Sequence, residues 1–142
     1  MEHLPIFIKI KQKPTLVVGG GDIALRKINL LLKAQAMVDC LSPSFSRDIK
    51  NLSKNGHITL INKSFDQTDI KDYSIIIAAT NDKSVNSLIS SIAQVKNIPV
   101  NVVDSPELSS FIMPSIVDRS PLIIAVSSSG KAPVFLELLG QN

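Results

Sequence analysis

Apolar residues follow two different patterns along most of the chain, continuous runs and regularly spaced positions, and stretches of the two kinds alternate. Continuous β-branched and aliphatic runs are typical of strands buried on both faces of a parallel sheet, whereas apolar residues at every third or fourth position predict amphipathic helices. The alternation therefore predicts an α/β fold built on a doubly wound parallel sheet. The predicted strands are Thr15–Val18, Met37–Leu41, His57–Ile61, Ser74–Ala79 and Pro99–Val103, and the predicted helices end near Ala34, Ser53 and Lys96.

Three consecutive glycines separate the first strand from the first helix and form the motif G-x-G-x-x-A. Gly19 lets the chain leave the strand in a tight turn, and Gly21 leaves no side chain between the backbone and a pyrophosphate. Ala24 lets the helix pack close to the strand, and the free N–H groups at the helix N-terminus attract phosphate. The motif predicts a Rossmann-like dinucleotide site, although the same glycines also suit a purely structural turn.

The ligand crevice of such a sheet lies beyond the carboxyl ends of its strands. The residues that follow the predicted strands are therefore candidate cofactor ligands, with Asp22 contributing its backbone N–H rather than its carboxylate. Ser44 is a candidate cap for the second helix, and Asn81 or Asp82 for the third. The candidate cofactor-binding residues are Gly19, Gly21, Asp22, Ile23, Ala24, Pro43, Ser44, Thr80 and Val102.

The end of the second strand does not choose between NAD and NADP. Dinucleotide sites usually carry an acid there for the ribose 2′-hydroxyl, but Asp39 comes about three residues early. Ser42 or Ser44 can bond the ribose instead, and Arg47 can tolerate a 2′-phosphate.

Asp104 follows the fifth strand at the edge of the predicted crevice, where a carboxylate can act as a base towards both cofactor and substrate. Its other interpretation is a loop-capping aspartate before Ser105-Pro106. Position alone leaves both roles open.

The two ends of the chain depart from the strand–helix alternation. Lys9, Lys11 and Lys13 alternate with other residues as in an exposed edge strand. Near the C-terminus, two short apolar stretches flank 118–121 and predict a hairpin, followed by a short helix over 132–139. We therefore expect a nucleotide-binding domain over 1–113 and the beginning of a smaller unit over 114–142.

Composition narrows the class of protein. The chain has 142 residues, a net charge of +3 without a long basic run, and 4% aromatic residues, which argues against nucleic acid as a partner. Cys40 is the single cysteine, and no leader or 18-residue apolar run is evident, so a soluble cytoplasmic protein is expected. His3 and His57 lack neighbouring ligand types, so no dedicated metal site is expected.

Six motifs in order give the chain a family resemblance from His3 to about Leu139. It resembles the siroheme-synthase family, specifically the precorrin-2 dehydrogenase/sirohydrochlorin ferrochelatase module. The motifs are His3–Phe7, Gly19–Asp22, Ala78–Thr80, Asn101–Asp104, Ser110–Ser115 and Asp118–Leu122, the last running into Ala125–Ser128.

The resemblance implies two reactions in one cleft. NAD⁺ takes a hydride from precorrin-2 to give sirohydrochlorin, and Fe²⁺ is then inserted to give siroheme. It implies that Asp104 is the base and that Ser128 lies near the substrate, where its hydroxyl binds a carboxylate or is phosphorylated. The other interpretation of Ser128 is a residue of a flexible loop without a binding role. Arg119 is a candidate partner for substrate carboxylates, or an interface residue.

Two further expectations follow from the resemblance. Relatives continue through a dimerisation region, so a homodimer is expected, and a chain that stops at Asn142 lacks part of the substrate wall. This puts activity in more doubt than cofactor binding. The rival hypothesis is a non-catalytic NAD(H)-binding sensor, which explains the glycine turn but not Asp104 together with the later motifs.

Overall fold

The computed structural model describes residues 1–128, and the first of its two compact units ends at Phe111. Strands and helices alternate through this unit as the apolar pattern predicts. Its strands are β1 Pro14–Val18, β2 Met37–Ser42, β3 Thr59–Asn62, β4 Ile75–Ala78 and β5 Val100–Val102, and its helices are α1 Asp22–Lys33, α2 Arg47–Lys54 and α3 Lys83–Val95.

The five strands of this unit form one parallel sheet in the order β3-β2-β1-β4-β5. The predicted doubly wound, Rossmann-like architecture is therefore confirmed. The strand order reverses between β1 and β4, and in this fold the ligand crevice opens at that reversal. The register pairs Val18 with both Leu41 and Ala78, so β1, β2 and β4 end at nearly the same level. The three loops that follow these strands are thereby brought together.

Both faces of the sheet are buried, because the central strands contribute alternate side chains to each. Val17 and Ile77 point to the face that α1 and α2 cover, as right-handed crossovers require. The opposite face packs on α3 through residues that are at most 2% exposed, namely Leu16, Val18, Ile76, Ala78, Ile89 and Ala93. This two-sided burial explains why the strands read as unbroken apolar runs.

Two local predictions are wrong. The lysine-rich segment before β1 is not an edge strand, because Gln12 adopts a φ of +60° and its N–H bonds to Gln35 O at 2.8 Å, which turns the chain into β1. The second helix begins at Arg47 and is capped by Ser46 rather than Ser44, with Ile49 N–H bonding to Ser46 Oγ. The backbone of Ser44 instead packs against the glycine turn.

The second unit begins at Ile112. Its described part is an antiparallel hairpin of β6 Ser115–Arg119 and β7 Leu122–Val126, as predicted. The short helix expected over 132–139 lies outside the described residues. Among residues 1–128, no helix is both long enough and apolar enough to cross a membrane.

Candidate functional site

The glycine turn closes the end of β1 against the neighbouring strand. Gly19 has a φ of +138°, and a β-carbon placed on it would lie 2.3 Å from the carbonyl oxygen of Ala79. Its N–H bonds to Leu41 O at 2.9 Å. The tight turn predicted for Gly19 is therefore present, and Gly19 contacts the end of β2 and the loop after β4.

Gly21 is the N-cap residue of α1, and it faces open space. A β-carbon built on it would meet no heavy atom of the described chain within 4 Å. Within residues 1–128 no side chain caps this helix, whereas Ser46 caps α2 and Asp82 caps α3. The first-turn N–H groups of α1, with the positive end of the helix dipole, are thus available to an anion.

A cavity of about 950 Å³ opens in front of this helix end. A volume of this size is at the upper end of the range for small-molecule and cofactor sites. The lining comes from the loops after β1, β2 and β4, together with Ser64 and Phe65 beyond β3. The main lining residues are Gly19–Ile23, Leu41–Ser46, Ala79–Asp82 and Val85.

The wall after β2 carries hydroxyl groups instead of a carboxylate. Ser42 Oγ accepts a hydrogen bond from Ser44 N–H at 3.4 Å, and Ser46 caps α2. Asp39 lies inside β2, where its carboxylate accepts a hydrogen bond from Tyr73 Oη at 2.8 Å. That carboxylate is engaged with Tyr73 and does not line the cavity.

The wall after β4 is held by a side-chain amide that no sequence motif indicates. Asn86, which is 8% exposed, donates from Nδ2 to Thr80 O at 3.1 Å, and its Oδ1 accepts from the Thr80 hydroxyl at 2.6 Å. Asp82 accepts from the N–H groups of Ser84 and Val85, and hydrogen bonds, above all the one from Ser84 Oγ, hold the pKa of its carboxyl below its usual range. The loop at Thr80 therefore has a fixed shape.

Behind the glycine turn, Cys40 is fully buried and its thiol donates to Gly19 O at 3.2 Å. Burial raises the pKa of this thiol to about 12. The thiol is therefore neutral at physiological pH and adds no negative charge beside the place where an anion would bind.

The predicted cofactor ligands divide into two groups. Gly19, Gly21, Asp22 and Ile23 line the cavity, as do Pro43, Ser44 and Thr80. Ala24 and Val102 do not, because the side chain of Ala24 is fully buried between helix and sheet and Val102 lies inside the core at 2% exposure. Ala24 therefore acts through packing, as its place in the motif suggests.

Asp104 lies at the same edge of the sheet as the cavity but is not part of its lining. It is exposed, follows the edge strand β5, and lies close enough to α1 for its charge to act on Lys27. Burial and the neighbouring Arg26 lower the pKa of Lys27, and Asp104 opposes them.

The two candidate substrate residues belong to the second unit. Arg119 is exposed at the end of β6, and its Nη1 donates to Asp118 O at 3.1 Å. Ser128 is partly buried two residues after β7. In residues 1–128, no three His, Cys, Asp or Glu side chains are grouped as metal ligands would be.

A glycine turn, an uncapped helix N-terminus and a cavity at the strand-order reversal together define a nucleotide-binding module of the Rossmann type. A protein-family model described as NAD(P)-binding matches residues 6–115. The chain belongs to this NAD(P)-binding family.

Named relatives extend the comparison. The chain is 55% identical over 139 residues to a siroheme synthase of Ruthia magnifica subsp. Calyptogena magnifica and 51% identical over 140 residues to one of Nitrosomonas europaea. Each match covers 98% of this chain but only 29% and 30% of the relatives, so the chain spans less than a third of their length. Among solved structures, SirC, a precorrin-2 dehydrogenase, matches with a TM-score of 0.80 and 26% identity, over 97% of this chain and 68% of SirC.

Proposed function

We propose that this chain is the dehydrogenase and chelatase module of siroheme biosynthesis. In this proposal it oxidises precorrin-2 to sirohydrochlorin with NAD⁺ and then promotes insertion of Fe²⁺. The observation that supports nucleotide binding is the N-terminus of α1 at Gly21, which no described side chain caps and which opens to a cavity of about 950 Å³. The substrate part is supported by relatives named siroheme synthase and precorrin-2 dehydrogenase.

The residues around the cavity fit a dinucleotide. The backbone of Gly21 to Ile23 would hold the diphosphate, because a bare α-carbon and free N–H groups meet there. The segment Pro43–Ser44 would hold the adenosine ribose, and the fixed Thr80 loop would bound the other side. A nicotinamide bound here supplies a hydride acceptor.

The choice of NAD over NADP rests on the family resemblance. Hydroxyl groups of Ser42 and Ser44 stand where an acid usually bonds the ribose, and Asp39 is engaged with Tyr73. Neither arrangement repels a 2′-phosphate, so a binding comparison of NADH with NADPH decides the point. Tighter binding of NADPH would reject the NAD assignment.

Asp104 is the proposed base for both steps. Oxidation of precorrin-2 removes one hydride and one ring proton, and Asp104 would accept the proton. Insertion of Fe²⁺ displaces two pyrrolic protons, which the same carboxylate would pass on to solvent. The position of Asp104 supports this assignment, because it is exposed and follows β5 at the edge of the sheet where the cavity opens.

We also propose that the chain works as a homodimer in the cytoplasm. The second unit would contribute the dimer contact, since Leu122, Ile123 and Ile124 of β7 are 60%, 49% and 43% exposed. An isolated two-stranded hairpin is marginally stable, so a partner that covers these side chains would stabilise it. Light scattering at several protein concentrations would test the dimer.

The function is tested by following NADH absorbance after precorrin-2 and NAD⁺ are added to the purified chain. We expect NADH and sirohydrochlorin to form in equal amounts. Asp104→Asn should reduce the rate at least about 100-fold, because the amide keeps the shape but accepts no proton. Asp48→Asn is the matched control, since Asp48 is an exposed carboxylate in the first turn of α2 and does not line the cavity.

Two outcomes would contradict the proposal. Tight NAD(H) binding without turnover, both in this chain and in one extended to the length of its relatives, would favour the sensor. Full activity of Asp104→Asn would remove the catalytic assignment while leaving the nucleotide site intact.

A further inference from the structure

The turn that carries Asp104 is closed by hydrogen bonds that do not involve the Asp104 side chain. Ser105 N–H bonds to Val102 O at 3.0 Å, which makes 102–105 a tight turn directly after β5. Asp104 occupies this turn with a φ of +60°. The same positive φ occurs at Gln12, Gln35 and Asn97, each in a turn, so this conformation marks Asp104 as a turn residue whose backbone depends on the hydrogen bonds around it.

The side chain of Ser109 forms hydrogen bonds with both ends of this turn, Val102 and Ser105. A single 3₁₀ turn, Pro106–Leu108, returns the chain so that Ser109 Oγ accepts a hydrogen bond from Val102 N–H at 2.9 Å. The same hydroxyl donates to Ser105 O at 2.9 Å, a shorter contact than the 3.3 Å to Val102 O. A hydroxyl has only one proton to donate, so we take the nearer oxygen, Ser105 O, as its acceptor. One side chain therefore ties together the two residues that flank Val103 and Asp104.

We propose that Ser109 is a positioning residue that fixes the Asp104 carboxylate by locking the 102–105 turn. This inference rests on the proposed role of Asp104 as the base. Without the Ser109 hydroxyl, Val102 N–H and Ser105 O lose a shared partner, and the turn can leave the left-handed conformation at Asp104. A carboxylate displaced by about 1 Å is expected to slow a proton transfer severely, on the order of 100-fold.

The chain offers a matched control in the next residue. Ser110 Oγ accepts from Val100 N–H at 2.9 Å, on the same free edge of β5 but two residues earlier. Ser110 makes a bond of the same kind and length as Ser109, yet its hydroxyl bonds to Val100 and not to the 102–105 turn. If Ser109→Ala and Ser110→Ala both lose turnover, the cause is the disturbed edge of β5. If only Ser109→Ala loses turnover, the cause is the changed position of Asp104.

The first measurement needs no substrate. Backbone ¹³C chemical shifts of Asp104 and amide exchange of Val102 are recorded by NMR in the wild type, Ser109→Ala, Ser109→Thr and Ser110→Ala. We expect Ser109→Ala to move the Asp104 shifts away from left-handed values and to speed Val102 exchange at least about tenfold. Ser109→Thr, which keeps the hydroxyl, should resemble the wild type, and Ser110→Ala should speed exchange at Val100 alone.

The second measurement is turnover of precorrin-2 with NAD⁺. Ser109→Ala should lower kcat at least about tenfold and leave KM for NAD⁺ within about twofold, whereas Ser110→Ala should change neither and Ser109→Thr should restore most of kcat. Should Ser109→Ala fail to unfold cooperatively, Ser109→Cys replaces it, because a thiol keeps the shape and weakens both hydrogen bonds.

The outcomes separate this inference from the proposed function. Unchanged Asp104 shifts in Ser109→Ala, or a wild-type kcat despite faster Val102 exchange, would overturn the positioning role. Full activity of Asp104→Asn would remove the assignment of Asp104 as the base, and absence of turnover in both this chain and an extended one would overturn the proposed function. In either case the NMR comparison would still decide whether Ser109 holds the turn.

Discussion

Gly20 lies directly against the backbone of Ser44. A β-carbon added to Gly20 would be 1.9 Å from the carbonyl oxygen of Ser44, and the carbonyl of Gly20 accepts a hydrogen bond from Ser46 N–H at 2.8 Å. Gly20, the middle glycine, therefore packs the loop after β1 against the loop after β2, and both loops line the cavity. Its neighbour Gly21 meets open space instead.

This contrast predicts opposite effects of two adjacent substitutions. Gly20→Ala forces a β-carbon into backbone that cannot move cheaply and should destabilise the fold by about 3 kcal/mol. Gly21→Ala should cost only about 0.5 kcal/mol, because Gly21 is an N-cap residue in open space. It should nevertheless weaken NADH binding at least about tenfold, since the new methyl group occupies the place of the diphosphate.

Urea unfolding and calorimetric titration with NADH check both variants. Equal destabilisation by the two substitutions would contradict the packing described for Gly20. Wild-type NADH affinity of Gly21→Ala would mean that the diphosphate does not lie against this residue.

The amide of Asn86 is expected to set the shape of the loop after β4. Asn86→Ala removes the amide that bonds to the Thr80 hydroxyl and carbonyl and leaves the hydroxyl only its longer contacts with Asp82, so it should cost about 2 kcal/mol. NADH affinity should fall about tenfold, because the Thr80 loop lines the cavity. Ser84→Ala is the control, since Ser84 Oγ bonds to the exposed Asp82. The same loss of affinity in both variants would argue against a specific role of Asn86.

The backbone at Asp104 predicts a difference between two inactive variants. Asp104→Gly and Asp104→Ala both remove the carboxylate, so each should abolish the proposed turnover. Glycine accommodates a φ of +60° without steric cost, whereas alanine does not, so the glycine variant should be about 1 kcal/mol more stable than the alanine variant. Chemical unfolding of the two proteins measures this difference, and equal stability would show that the turn is not strained.

Cys40 should make the protein less stable at alkaline pH. The thiol ionises near pH 8.5 in an unfolded chain but only near pH 12 when folded, because burial raises its pKa. The contribution of the neutral buried thiol to the free energy of unfolding is fully present below about pH 8.5 and is lost as the pH rises towards 12, by about 1.4 kcal/mol for each pH unit.

Unfolding midpoints of the wild type and Cys40→Ala at pH 8, 9.5 and 11 isolate this contribution. We expect the stability advantage of the wild type over Cys40→Ala to shrink as the pH rises. A difference that does not change with pH would mean that the thiol titrates normally, and rapid alkylation of the native protein at pH 8 would lead to the same conclusion.

The strands and the glycine turn were predictable because their signals are local. A run such as Ile75–Ala78 is apolar because both of its faces are covered, and that requirement is visible in the sequence itself. The lysine alternation before β1 has the period of an exposed strand but no partner strand, and the turn at Gln12 depends on a contact with Gln35 that the sequence does not reveal. An alternating pattern alone does not show whether a partner strand is present.

The site was only half predictable for the same reason. Gly19 and Gly21 follow a known spacing, but the role of Gly20 depends on Ser44, and that of Asn86 on Thr80, which is six residues earlier. The presence of a third glycine where the motif allows any residue was the available signal for Gly20. No comparable signal marked Asn86 or Ser109.

The pair of serine hydroxyls along β5 has a consequence for the solubility of the protein. β5 is the last strand of the sheet, and the outward N–H groups of Val100 and Val102 are taken by Ser110 and Ser109. A strand from another molecule finds these donors already occupied, so the sheet cannot be extended at this border by intermolecular pairing. The loop that follows β5 thus also protects the folded protein against aggregation.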